Sequence, residues 1–185
     1  MKPLAFFSVA DNNNLPYFEL LKNSLSKFHP DVPLILIGEE QIKKFNDPMF
    51  FYRATPIIAS ELMKEYETVI KIDADTIITG DLSHTWKGEL DVGVVNNSNP
   101  KELKAYPVSV LNIHPLAYVN CGLVVMKSKQ FVEHWKQLCF SDHFQAYQMK
   151  EQDLLNIMVF YMNFVYKVDL LDLGDKWHGV ISKGY

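Results

Sequence analysis

Apolar and polar positions fall into blocks along this chain, and the period of the blocks predicts its elements. Leu4 to Val9 reads as a central strand, with Asp11 to Asn14 the loop at its carboxyl end. Pro16 can open a helix at its first turn. Phe18, Leu21, Leu25 and Phe28 then recur at three- and four-residue spacing, which gives one apolar face. His29-Pro30-Asp31 ends that helix. Val32 to Ile37 reads as a second strand closed by Gly38. This strand–helix–strand order implies a parallel pair with a right-handed crossover.

The pattern continues with a short helix over Glu39 to Phe45 and a stronger one over Pro56 to Tyr66. The strand carrying Asp73 follows, then a short buried strand over Asp91 to Val95. Asn96 to Pro115 is irregular, with Asn, Pro and Ser throughout, and is a candidate mobile loop. Tyr118 to Met126 is a strand interrupted by Asn120-Cys121-Gly122. Ser128 can cap a helix that turns Phe131, Trp135 and Leu138 inward. Gln152 to Tyr161 is a further helix and Phe164 to Val168 a late strand. No repeat or linker divides the chain. The expectation is a single α/β domain over residues 1–185, with a mostly parallel sheet between helices. Ligands of such folds bind beyond the carboxyl ends of the strands.

Composition narrows the class. A chain of 185 residues that is 48% hydrophobic and 22% charged can bury a sizeable core. Its net charge of -4 and its lack of any basic run argue against a nucleic-acid partner. Cys121 and Cys139 sit in apolar contexts and read as core thiols, which favours a reducing, cytoplasmic location. The apolar run of Met1 to Ala10 meets Asp11 at once, so it reads as the first strand and not as a signal peptide. No stretch approaches the ~20 apolar residues of a membrane span. Oligomeric state is left open.

Asp73-Ala74-Asp75 is the densest piece of candidate chemistry. A β-branched stretch, Val69-Ile70-Lys71-Ile72, leads into it and Thr76-Ile77-Ile78 leads out. On extended backbone, residues i and i+2 face the same way. Both carboxylates can then meet one hard divalent ion whose other positions are filled by water and phosphate oxygens, as in nucleoside diphosphate sites. The plain alternative is a strand end followed by a solvated acidic turn.

Four segments, in order, resemble the retaining glycosyltransferases of family eight, the group that contains glycogenin and bacterial galactosyltransferases and has the GT-A fold. They are Ser8-Val9-Ala10-Asp11-Asn12-Asn13 leading to Tyr17 and Asn23-Ser24-Leu25; Tyr52-Arg53 followed by Ile72-Asp73-Ala74-Asp75; Val119-Asn120-Cys121-Gly122-Leu123-Val124-Val125-Met126; and Glu151-Gln152-Asp153-Leu154-Leu155-Asn156. Two departures stand out. Glu151 occupies a position that is usually Asp. The closing His–Gly motif is compressed to His178-Gly179 with no Pro-Trp after it, as in a truncated or compact member.

The resemblance implies a transfer of hexose from a nucleotide-sugar, most simply a UDP-sugar, to a hydroxyl on a glycan or glycoconjugate acceptor, with retention. It implies Mn²⁺ (or Mg²⁺) on Asp73, Asp75 and His178, and a mixed carboxylate–imidazole set suits Mn²⁺ better. Residues 1–100 would form the nucleotide and metal half, and residues 101–185 the sugar and acceptor half. Ala10, Asp11 and Asn13 would meet the base, Arg53 and Lys183 the diphosphate, and Ala74, Gly122 and Gly179 the rest of the donor. Asn120, Glu151, Gln152 and Asp153 would face the sugar, with Gln152 near the anomeric carbon and Asp153 or Glu151 supporting cationic character. Tyr106, Tyr118 and Trp177 are candidates for a stacking platform, although in a chain with 13% aromatics scattered rings are mostly core. Each has a plainer reading: an Asn-rich turn, a helix-flanking Arg53, acidic residues favouring a helix start at Glu151, a surface imidazole at His178. The remaining histidines match no motif, and most of them read as surface or loop residues. Two other functions stay open: a nucleotidyltransferase that makes sugar nucleotides, although its usual Gly-rich loop is missing at Asp11–Asn14, and a non-catalytic nucleotide-sugar-binding protein.

Overall fold

The computed structural model describes residues 1–96, 113–114, 117–147, 149–171 and 173. Its strands are β1 (Lys2–Val9), β2 (Leu34–Ile37), β3 (Tyr66–Ile72), β4 (Val92–Asn96), β5 (Val119–Met126) and β6 (Val168–Leu170). Its α-helices are α1 (Leu15–Leu25), α2 (Glu39–Lys44), α3 (Ala54–Leu62), α4 (Lys129–Cys139) and α5 (Glu151–Tyr161). The strands form one mixed sheet in the order β2-β1-β3-β5-β4-β6. The β1/β2, β1/β3 and β4/β6 pairs are parallel, and β5 is antiparallel to both of its neighbours.

Two apolar layers cover the sheet. Phe18, Leu21 and Leu25 of α1 pack with Phe6, Ile70, Leu123 and Val125 on one face, joined by Ile78, Leu82 and Leu90 from the segment after β3. On the other face, Ile58 of α3, Phe131 and Trp135 of α4 and Leu155 and Met158 of α5 pack on Phe7, Val69, Val94 and Val124. Alternate strand residues serve opposite layers, so β1 and β3 are apolar on both sides, as strands covered twice must be. Ser128 caps α4 by accepting from Phe131 N at 3.2 Å. Trp135, fully buried, donates its indole N–H to Glu151 O at 3.0 Å and so ties α4 to the start of α5.

The structure moves several expected boundaries. The helix expected over Pro56 to Tyr66 starts at Ala54 and stops at Leu62, because Tyr66 is already paired with Lys2 in the sheet. Phe28 lies past the end of α1 and is exposed, while His29 is buried against Phe6 and Trp86 and accepts from Leu82 N at 3.0 Å. His29 is therefore a core residue, not a surface one. The late strand is Val168–Leu170 rather than Phe164 to Val168, because only from Val168 does the chain reach β4. Phe164 is 83% exposed. Most of the expected irregular stretch, residues 97–112 and Pro115, lies outside the described residues. Cys121 and Cys139 are buried free thiols, as expected. Among the described residues no helix is long and apolar enough to cross a membrane.

Candidate active site

Strand direction assembles the site. With β5 running against the rest, the carboxyl ends of β1 and β3 and the amino end of β5 share one edge of the sheet. That edge carries Ala10 and Asp11, Asp73 to Thr76, and Val119 to Gly122. The Asp-Ala-Asp segment is not extended there. Asp73 N donates to Gly122 O at 2.8 Å, continuing the ladder for one residue, and Asp73 O then accepts from Thr76 N at 3.2 Å. The two carboxylates therefore stand on a tight turn, and the strand-end geometry expected from their i, i+2 spacing is corrected. Asp73 is 49% exposed at its side chain, Asp75 is partly exposed and Ala74 is buried in the α1-side layer.

The opposing wall is a bulge in β5. Val94 pairs with Val124 and Val95 with Asn120, so three residues, Cys121 to Leu123, have no counterpart on β4. Buried backbone polar groups left by such a bulge need other partners. Asn156, fully buried, accepts from Val119 N at 2.8 Å and donates to Val119 O at 2.9 Å. Gln152 Oε1 accepts from Cys121 N at 2.9 Å. Lys71 Nζ donates to Cys121 O at 2.7 Å, and Gly122 N donates to Asn120 Oδ1. A Cβ on Gly122 would stand 2.5 Å from Asn120 Oδ1 and 2.9 Å from Asp73 Oδ2. Only glycine lets the Asp73 carboxylate and the Asn120 amide close over this point.

Charge concentrates beneath the turn. Lys71 is buried and ion-paired with Asp73. Burial opposes its charge, but Asp73, Cys121 and Glu151 outweigh that and hold the ammonium up at about 12. Burial pushes the Glu151 carboxyl up to about 7, against the pull of Lys71 and of its hydrogen bonds with Thr55. Those bonds run from Thr55 N at 3.2 Å and Thr55 Oγ1 at 2.8 Å. Glu151 thus satisfies a free N–H in the first turn of α3, where Arg53 at the N-cap position gives no side-chain cap. The sugar-facing direction expected for Glu151 is not the one its carboxylate takes.

The other sequence candidates divide clearly. Asp11 is bound into its own loop, accepting at Oδ1 from Asn14 N at 3.0 Å and Asn14 Nδ2 at 2.7 Å. Asn13 is exposed, and Ala10 is buried with its N–H donating to Ile37 O at 3.1 Å. Arg53 pairs with Asp47 at 3.1 Å and lies over the rings of Phe140 and Phe144, at 4.9 and 4.4 Å from their centroids. Its guanidinium is engaged there instead of standing open for a diphosphate. Gln152 is buried, and besides Cys121 it meets Tyr118 Oη at 3.4 Å. Asp153 accepts from Tyr118 Oη at 2.6 Å and from Met149 N at 2.8 Å. Burial, then the Asp153 bond, pushes the Tyr118 hydroxyl well up, so it stays a donor. Tyr118 is a buried strut, which is the core-ring alternative to a stacking surface. His178, Gly179, Lys183, Tyr106 and Trp177 lie outside the described residues.

Lys71, Thr55 and Asn156 hold this frame together although the sequence pattern gives none of them a role in it. A lysine inside Val69-Ile70-Lys71-Ile72, two positions before Asp73, was the available signal for the first. No such signal existed for Thr55, whose partner is 96 residues away.

The arrangement can hold a cation. Among the described residues no group of three or more His, Cys, Asp or Glu side chains converges on one point. Two carboxylates on a partly exposed turn are nonetheless the oxygen donors a hard divalent ion takes when it keeps water and phosphate oxygens as its other ligands. Asp73 and Asp75 fit that role.

Comparisons with known proteins agree on the class. The structure is similar to galactosyltransferase LgtC, solved with donor and acceptor sugar analogs, at 16% identity and a TM-score of 0.62, over 91% of this chain and 73% of that one. It is also similar to the WbbM bifunctional glycosyltransferase, at 18% identity and 0.63, over 93% of this chain and 39% of that chain. The glycosyltransferase GlyE of Streptococcus pneumoniae TIGR4 matches at 14% and 0.60, over 93% and 46%. This chain spans less than half the length of the last two. At these identities the likeness shows a shared fold, that of the GT-A class. No curated protein matches the chain in sequence. The model of glycosyl transferase family 8 matches residues 4–183. The chain belongs to that family.

Proposed function

We propose that this chain is a metal-dependent, retaining hexosyltransferase that uses a UDP-sugar and a hydroxyl acceptor on a glycan or glycoconjugate. The observation that carries this reading is the closure of Asp73 and Asn120 over Gly122, on the edge where β1 also ends. One wall supplies carboxylates for an ion and the other an amide for sugar hydroxyls. Residues 1–100 then serve nucleotide and ion, and residues 101–185 serve sugar and acceptor. The buried thiols suit a reducing compartment, and the reading assigns the activity to the cytoplasm.

Asp73 and Asp75, with His178 as a further candidate ligand, would hold Mn²⁺ or Mg²⁺. The ion supplies positive charge against the diphosphate as that group departs. The chain's own residues do the rest. Asn120, fixed by Gly122 N, offers a polar amide beside Asp73 for a sugar hydroxyl. Gln152 and Asp153 act through the frame: they hold Cys121 N and Tyr118, and so hold the bulge on which Asn120 stands. Retention follows a front-face route. The donor C1–O bond to the diphosphate breaks, a C1–O bond to the acceptor hydroxyl forms on the same face, and the hydroxyl proton passes to the departing phosphate oxygen.

Product analysis tests this. With UDP-hexoses, Mn²⁺ and a panel of glycan acceptors, proton NMR should show UDP release and an α-linked product from an α-linked donor. A β-linked product would overturn retention. Pyrophosphate made from hexose phosphate and UTP would establish a nucleotidyltransferase instead.

A further inference from the structure

Lys71 is a cation built into the floor of the proposed ion site. It lies in the interior of β3, only 6% exposed, where a charged residue persists only if it is paired. Its ammonium reaches both walls of the site: the Asp73 carboxylate on the turn and Cys121 O, at 2.7 Å, on the bulge. An ammonium carries three donors, so one group can bridge the two walls. Asp73 in turn packs against Gly122, whose missing side chain leaves room for it. Lys71 thus bonds both to Asp73 and to the strand carrying Asn120.

We propose that Lys71 is a positioning residue that shares Asp73 with the divalent ion, orienting the carboxylate while keeping the ion's affinity low before the nucleotide binds. This inference rests on the reading of Asp73 and Asp75 as the ion's ligands. The physical content is charge competition. A carboxylate already neutralised by an ammonium attracts a second cation less, and the two cations repel each other across a short distance. The diphosphate adds negative charge at the same place and relieves that repulsion. Ion and nucleotide therefore bind together more strongly than the ion binds alone.

The test measures Mn²⁺ uptake without nucleotide, by the paramagnetic resonance of free Mn²⁺, in wild type, Lys71→Met and Lys71→Arg. Methionine keeps length and loses charge; arginine keeps charge. Lys71→Met should bind Mn²⁺ about tenfold more tightly than wild type, and UDP should improve its Mn²⁺ affinity less. Its turnover should fall even so, because Asp73 is no longer held. Lys71→Arg should stay near wild type in Mn²⁺ affinity. A lysine that only supports the fold predicts unchanged or weaker uptake in Lys71→Met, and that result overturns the inference while leaving the ion site intact. If wild type takes up no Mn²⁺ even with UDP, the ion-site reading fails and the inference fails with it. A second measurement needs no variant. In wild type labelled on lysine side chains, substoichiometric Mn²⁺ should broaden the Lys71 ammonium resonance before any other lysine; earlier broadening of another lysine contradicts the proposal.

Discussion

Asp75→Asn should lower sugar transfer by about a hundredfold or more, the scale expected when a charge-stabilising group is lost from the reacting centre. Its melting temperature should stay close to that of wild type, because the residue stands on a partly exposed turn. Asp73→Asn should behave differently. It removes the same kind of ligand, but it also leaves buried Lys71 without its carboxylate. That variant should lose transfer and about 1–3 kcal/mol of stability as well, measured by urea unfolding. The contrast in stability isolates the further work of Asp73, whose carboxylate also pairs the buried Lys71 ammonium. Near-normal turnover in Asp75→Asn at saturating Mn²⁺ would reduce the Asp-Ala-Asp segment to a solvated turn.

Asn156→Leu should destabilise the protein by about 3 kcal/mol or more, with an unchanged urea m-value. The side chain is fully buried and makes three hydrogen bonds, with Val119 N, Val119 O and Gln152 O. Leucine has a similar volume, so no cavity obscures the result, and the backbone partners are left unsatisfied inside the core. A loss under about 1 kcal/mol would mean that the bulge finds other partners, and that α5 does not hold it.

The same residues show how much was legible in sequence. β1, α1 and β3 declare themselves by apolar runs and by Phe18, Leu21 and Leu25, because those patterns follow directly from which faces are covered. The Ser128 cap is equally local, a hydroxyl three residues from the N–H it satisfies. The turn at Asp73 is not local. Asp73 leaves the strand only after bonding to Gly122 O, about fifty residues on, where β5 bulges away from β4. Gln152, Asp153 and Glu151 form a polar run at a helix start and invite a catalytic reading. In the fold, each is bonded to the frame: to a bulged strand, to Tyr118 and Met149, and to the first turn of α3. A polar residue aimed at substrate and one aimed at an unsatisfied backbone look alike until the packing partner is known. Phe164 misleads for the opposite reason. It is apolar enough for a strand, yet pairing with β4 begins only at Val168.

If Asp73 and Asp75 hold a nucleoside diphosphate through a divalent ion, binding shows it without knowledge of the acceptor. The decisive measurement is the thermal unfolding of the wild-type protein with UDP, in Mn²⁺ and in chelator. At a hundredfold excess over its dissociation constant, UDP with Mn²⁺ should stabilise the fold by about 2.7 kcal/mol, a rise of about 5–10 °C. UDP in chelator should give little or no rise. Equal stabilisation by UDP with and without the ion would contradict the claim, as would no stabilisation in either.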